Sequence, residues 1–114
     1  MSRDYKLYLK DILESIEKIE NYVIEISFEE FISDALKYDG IVKNIEIIGE
    51  AIKHIPTEVK ARHNKVEWKK IIGTRDILIH SYFRINSQII WDIIKNKIPE
   101  LKSSVKLMLK ELNS

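Results

Sequence analysis

Seven apolar residues, Tyr5, Leu9, Ile12, Ile16, Ile19, Val23 and Ile26, recur at intervals of 4, 3, 4, 3, 4 and 3. That alternation keeps one stripe of a helix apolar, with charged side chains such as Lys10, Asp11, Glu14, Glu17, Lys18 and Glu20 between. A strand would need every second residue on one face, and these residues do not follow that period. A second seam repeats the pattern: Ile41, Ile45, Ile48, Ile52 and Ile55 are again spaced 4, 3, 4 and 3. Only three glycines and two prolines occur in the 114 residues, too few turn residues for a strand-rich fold. The chain is therefore expected to be all-α.

The remaining segments complete a bundle. Ser27 with Glu30 three residues later reads as a capping box opening a new helical segment. That segment is expected over 31–55, with Gly40 marking a kink or junction. Gly49 sits mid-pattern, where glycine costs about 1 kcal/mol against alanine, and a close helix crossing would explain it. Pro56 stops the segment, and 56–65 is expected to be a polar, basic connection. A third helix is predicted over 66–82. A junction follows over 84–87, with Asn86 as N-cap. The last helical region runs over 87–112, with a kink or fresh start at Pro99. The predicted architecture is one domain, 1–114, an up-and-down bundle of four or five helices. The seams are long for one small monomer, so a homodimer burying a leftover face is expected.

Composition excludes several function classes. There is no cysteine, hence no disulfide, thiolate metal site or cysteine nucleophile. Three scattered glycines cannot write a Walker loop or a dinucleotide fingerprint. No apolar run approaches a membrane span and 1–10 has no signal-peptide core, so a cytoplasmic protein without membrane contact is expected. The net charge is only +1, but it is unevenly placed. Residues 1–34 carry four basic and nine acidic side chains, whereas 57–114 carry twelve basic and six acidic. The basic half suits a phosphate-bearing ligand. There are 15 lysines against four arginines, so each arginine is a candidate for a role that needs its planar fork of donors.

One short segment concentrates chemistry. In 73–84, Gly-Thr-Arg-Asp-Ile-Leu-Ile-His-Ser-Tyr-Phe-Arg, the side chains of Arg75, Asp76, His80, Ser81 and Tyr82 crowd an apolar helix. Asp76 and His80 are four apart and share a face, as do Arg75 and Tyr82, seven apart. Arg75 and His80 are five apart, separated by about 140° on an ideal helix. A distortion at the helix end, or a twofold axis joining two copies, would let both reach one atom. The types suit RNA cleavage: histidine exchanges protons near neutral pH, and arginine holds phosphate by two parallel bonds. Such a site needs no metal or cofactor.

The spacing R-x4-H-x-Y closely resembles the motif of the HEPN superfamily, and more narrowly of the HepT toxins, formerly DUF86. The resemblance extends to Ile47-Ile48-Gly49-Glu50-Ala51, to Trp68, Ile72 and Gly73 before Arg75-Asp76, and to the length and Pro99. It implies a metal-independent ribonuclease toxin whose dimer lines a shared cleft with Arg75 and His80, supported by Asp76. It further implies a MntA-like minimal nucleotidyltransferase antitoxin that transfers AMP onto Tyr82, blocking the RNA site by bulk and negative charge. The alternative within the same resemblance is a non-catalytic HEPN module that binds nucleotide or docks a nucleotidyltransferase; outside it stands a homodimeric helical adaptor.

Other residues have lesser expectations. Lys69, Lys70 and Arg84 are candidates for RNA contact, and Lys60, Arg62 and Lys65 could touch phosphate without reading bases. His54 and His63 are expected at the surface. Trp68 and Trp91 are expected in the core rather than as stacking platforms. Tyr5, Tyr8, Tyr22 and Tyr38 suit packing or an interface. Glu46 and Glu50, four apart, resemble half of a di-metal site, but the second pair with histidines is missing.

Overall fold

A computed structural model describes residues 4–80 and 87–113; for 79 and 80 it describes the backbone only. The described residues are helical, without a strand. Helix α1 spans Tyr5–Val23, α2 Phe28–Ser33, α3 Ala35–Ile52, α4 Thr57–Arg62 and α5 Trp68–His80. Helix α6, Ser87–Asp92, runs through a wide π-turn, Ile93–Lys97, into α7, Ile98–Leu112.

The two seams meet as their period requires. Leu9, Ile12, Ile16 and Ile19 of α1 and Ile41, Ile45, Ile48 and Ile52 of α3 are fully buried. Helix α3 packs against α1 on one side and α5 on the other, and α1 also meets α7. Burial of this kind stabilises by about 1.5–3 kcal/mol per large aliphatic side chain before chain entropy is subtracted. At the far end Phe31 forms an aromatic group with Trp91 and Tyr38, ring centroids 5.2 and 5.0 Å away. Trp68 and Trp91 both pack against the core, as do Tyr5, Tyr8, Tyr22 and Tyr38.

Capping sets the element boundaries. Asp4 accepts from the Lys6 N–H to open α1. The Ser27–Glu30 capping box forms with both reciprocal bonds. The next junction falls at Asp34 rather than Gly40: Asp34 closes α2 and its carboxylate accepts from the Lys37 N–H at 3.1 Å to open α3. Gly40 lies inside α3 against Tyr22, where a Cβ would approach the ring within 2.6 Å.

The expected connection over 56–65 contains a helix instead. Pro56 supplies the carbonyl for the Val59 and Lys60 N–H groups, Glu58 stands in the first turn of α4, and Lys60 and Arg62 stand in the last. Those charges suit the helix dipole, and Val59 is buried beneath. Pro99 falls near the start of α7 after the π-turn. The Ile98 N–H reaches the Ile93 carbonyl, five residues back, so the helix continues past proline by widening one turn. Among the described residues no helix is long and apolar enough to cross a membrane. Asn86, Tyr82 and Arg84 lie outside the described residues.

Candidate active site

The crossing of α3 and α5 is built around a missing side chain. A Cβ at Gly49 would collide with the Arg75 Cβ and lie 2.6 Å from its Cγ. Glycine lets the two helices approach until the Arg75 stem lies against the α3 backbone. The close crossing expected from Gly49 is thus present, and its partner is the motif arginine.

Burying the Arg75 stem leaves its guanidinium at the rim, with the side chain 18% exposed. Two carboxylates hold it. Nη2 donates to Glu50 Oε2 at 2.8 Å and Nη1 donates to Asp76 Oδ1 at 2.9 Å. Charge-assisted bonds of this length fix a planar cation strongly. Nε is buried and has no partner among the described residues. Lys53 reaches Asp76 at 3.5 Å, and His54 Nε2 lies 3.6 Å from Glu50 Oε1. The His54 ring is in turn stacked on Tyr8, centroids 4.3 Å apart and planes nearly parallel. Arg75 and Lys53 thus face Glu50 and Asp76, two cations against two anions.

The hydrogen bond from Arg75, with Lys53 nearby, holds the Asp76 carboxyl below the usual carboxylate range. It stays an anion at neutral pH and accepts the Arg75 hydrogen bond. Helix α5 is regular through His80, which keeps the Arg75 and His80 positions about 140° apart around its axis. The imidazole of His80 lies outside the described residues, as do Tyr82 and Arg84.

The structure brings Arg75 and Asp76 together and adds Glu50, which the sequence offered only as a landmark and as half of an unlikely metal pair. The available signal was position: Glu50 adjoins the glycine of the crossing. Lys70 is committed to Asp92 at 3.4 Å, while Lys69, exposed in the first turn of α5, has no partner among the described residues. His63 departs from expectation. Its side chain is only 7% exposed, with Nε2 3.4 Å from Glu111 Oε1. Following α4 in the chain, it lies within ion-pair distance of this carboxylate of α7. His54 is exposed, as expected. Among the described residues no three histidines or carboxylates gather in a metal-binding group.

Residues 12–108 match the profile of the family described as Ribonuclease HepT-like. A candidate RNase of Caldanaerobacter subterraneus is 46% identical over 91% of this chain and 93% of its own length. A protein named Probable ribonuclease HepT from Thermococcus cleftensis is 40% identical over 96% of this chain and all of its own. A longer Methanocaldococcus jannaschii protein, named for both a gamma-glutamylcyclotransferase and a candidate RNase, is 40% identical over 99% of this chain, which spans 51% of it. No solved structure matches significantly. With the family profile covering most of the sequence and these relatives matching nearly end to end, the chain belongs to the ribonuclease HepT-like family.

Proposed function

We propose that this HepT-like ribonuclease cleaves RNA without a metal, at a cleft shared by two copies, and is silenced by adenylylation of Tyr82. The observation that carries the reading is Arg75, fixed between Glu50 and Asp76 five residues before His80. In the reaction His80 removes the proton from a ribose 2′-hydroxyl, and the oxygen attacks the adjacent phosphorus. The P–O5′ bond breaks, and the departing 5′-oxygen takes a proton from an imidazolium. Arg75 stabilises the charge that develops on the phosphoryl oxygens, using N–H groups its two carboxylates leave free. Asp76 and Glu50 hold the fork in place before substrate arrives, so little reorganisation opposes the reaction.

A second copy is supported by two features. The regular course of α5 sets positions 75 and 80 about 140° apart around its axis, so residues from a second motif helix would complete the set. The outer face of α5 presents Ile77, 48% exposed, one turn after Gly73, where an added Cβ would meet nothing within 4 Å among the described residues. On α3 Ile47 is also exposed, next to the crossing. A MntA-like nucleotidyltransferase, as the family resemblance implies, would place AMP on Tyr82, two residues past His80, adding bulk and negative charge where RNA phosphate binds.

The test is cleavage of total cellular RNA in EDTA by wild type, His80→Ala and Arg75→Ala, after intact mass establishes that Tyr82 carries no AMP. Wild type is expected to cut and both variants to lose at least about a hundredfold in rate, with unchanged far-UV circular dichroism. Full activity in His80→Ala would sink the proposal.

A further inference from the structure

A groove of about 760 Å³ opens between α4 and α5, lined by Lys60, Ala61, Trp68, Lys69 and Ile72 among others. We propose that it is a base-binding subsite, holding an unpaired nucleobase of the RNA that flanks the bond to be cut. The inference rests on the ribonuclease reading above and adds where the substrate lies.

The geometry of Trp68 is the first support. Its indole N–H donates to the carbonyls of Lys60 and His63, both at 3.1 Å. These bonds lock the ring and consume its polar edge, so its half-buried surface offers the groove only aromatic carbon. Ile72 and Ala61 extend that apolar lining. A flat, apolar slot of this kind fits a base by stacking, whatever its sequence.

Charge is the second. Lys60, Lys69 and Lys70 border the slot, against one acid, Glu67. Glu67 is already bound by Lys97 at 2.7 Å, which holds its carboxyl below the usual range. Lys69 has no partner among the described residues. Around Arg75 the charges cancel, so Lys69 is the nearby cation on α5 left free for a flanking phosphate. Apolar floor and cationic rim together match a nucleotide better than a protein helix.

Position is the third. Ile72 lines the groove, and Asp76 follows one turn later on the same side of α5, about 6 Å along the axis. Across the gap, Lys60 Nζ reaches the Ile52 carbonyl at 3.4 Å, and the next residue, Lys53, is the one that faces Asp76. The Ile72 end of the groove therefore lies one helical turn from Asp76 of the Arg75–Asp76 cluster.

The test uses the full chain with Trp91→Phe, leaving Trp68 as the only tryptophan. A short oligoadenylate is titrated, then a ribose-phosphate oligomer of equal length without bases. Quenching of Trp68 emission is expected with the first and not the second. Ala61→Leu, at an exposed helical position, adds bulk beside Trp68 in the groove without touching the core or the charge. It should abolish the quench and raise KM for RNA about tenfold at unchanged kcat. Equal quenching by the baseless oligomer, or wild-type KM in Ala61→Leu, overturns the subsite while leaving the ribonuclease intact. So does Trp68 emission that changes with protein concentration alone, which assigns the groove to a second copy. Quenching without any RNA cleavage by wild type keeps the base site and overturns the reaction instead.

Discussion

The two faces of α5 are opposites. Inward, Ile71 and Leu78 are buried, and the Arg75 stem lies hard against Gly49 of α3 with its guanidinium held at two points. Outward, a Cβ added at Gly73 would meet nothing within 4 Å among the described residues, and Ile77 is exposed. Glycine serves both faces for contrary reasons. At Gly49 a side chain has no room, whereas at Gly73 the described residues leave it unopposed. One face of the motif helix is thus packed within the chain, and the other is left uncovered by the described residues.

Substitutions can break or sharpen that contrast. The largest effect is expected at Gly49→Ala. The added methyl pushes α3 from Arg75, with about 1–3 kcal/mol of stability lost in denaturant titration and RNA cleavage down about a hundredfold. Glu50→Gln keeps the shape but removes the charge opposite Arg75. Because Glu50 is half exposed, a loss of about 1 kcal/mol is expected, with a clear fall in kcat. Gly73→Ala should do the reverse on the outer face. It should raise the Tm, by up to about 1 kcal/mol of helix propensity, yet lower cleavage where a second copy closes over that position. A rise in both would show the outer face to be free.

Ile77→Lys is expected to leave stability within about 0.5 kcal/mol and to shift sedimentation towards monomer. The smallest effect is that of pH on Asp76. Its folded pKa is lowered, so its contribution is complete above the unfolded value of 3.8 and disappears as pH falls through the lower folded one. The Tm difference between wild type and Asp76→Asn should be flat from neutral pH down and shrink only below about pH 4.

Much of the fold could be read from period alone. The seams of α1 and α3 are single-face patterns long enough to leave no competing assignment, and the Ser27–Glu30 box formed as written. Helix α4 was hidden because its six residues contain a single buried apolar side chain, Val59, too few to show a period. His63 was misplaced for a different reason: its burial depends on Glu111 of α7, and no local pattern encodes a contact so remote in sequence. In the site, Arg75 stood out as one of four arginines among 15 lysines, and Asp76 because it follows that arginine in the R-x4-H-x-Y motif. Glu50 did not, since its role appears only once the helices cross.

The widened turn before Pro99 has a consequence for how this chain can change length. Ile90, Ile94 and Ile98 are spaced four and four, all buried, a step that would swing an ordinary helix about 80° off its stripe. The π-turn absorbs the surplus residue and returns Leu101, Val105 and Met108 to the core in phase. A wide turn of this kind is geometrically an α-helix with one residue inserted. Deleting a single residue within Ile93–Lys97 should therefore close it into a normal turn and leave both flanking stripes facing inward. The same deletion anywhere in α1 would rotate half of a seam into water.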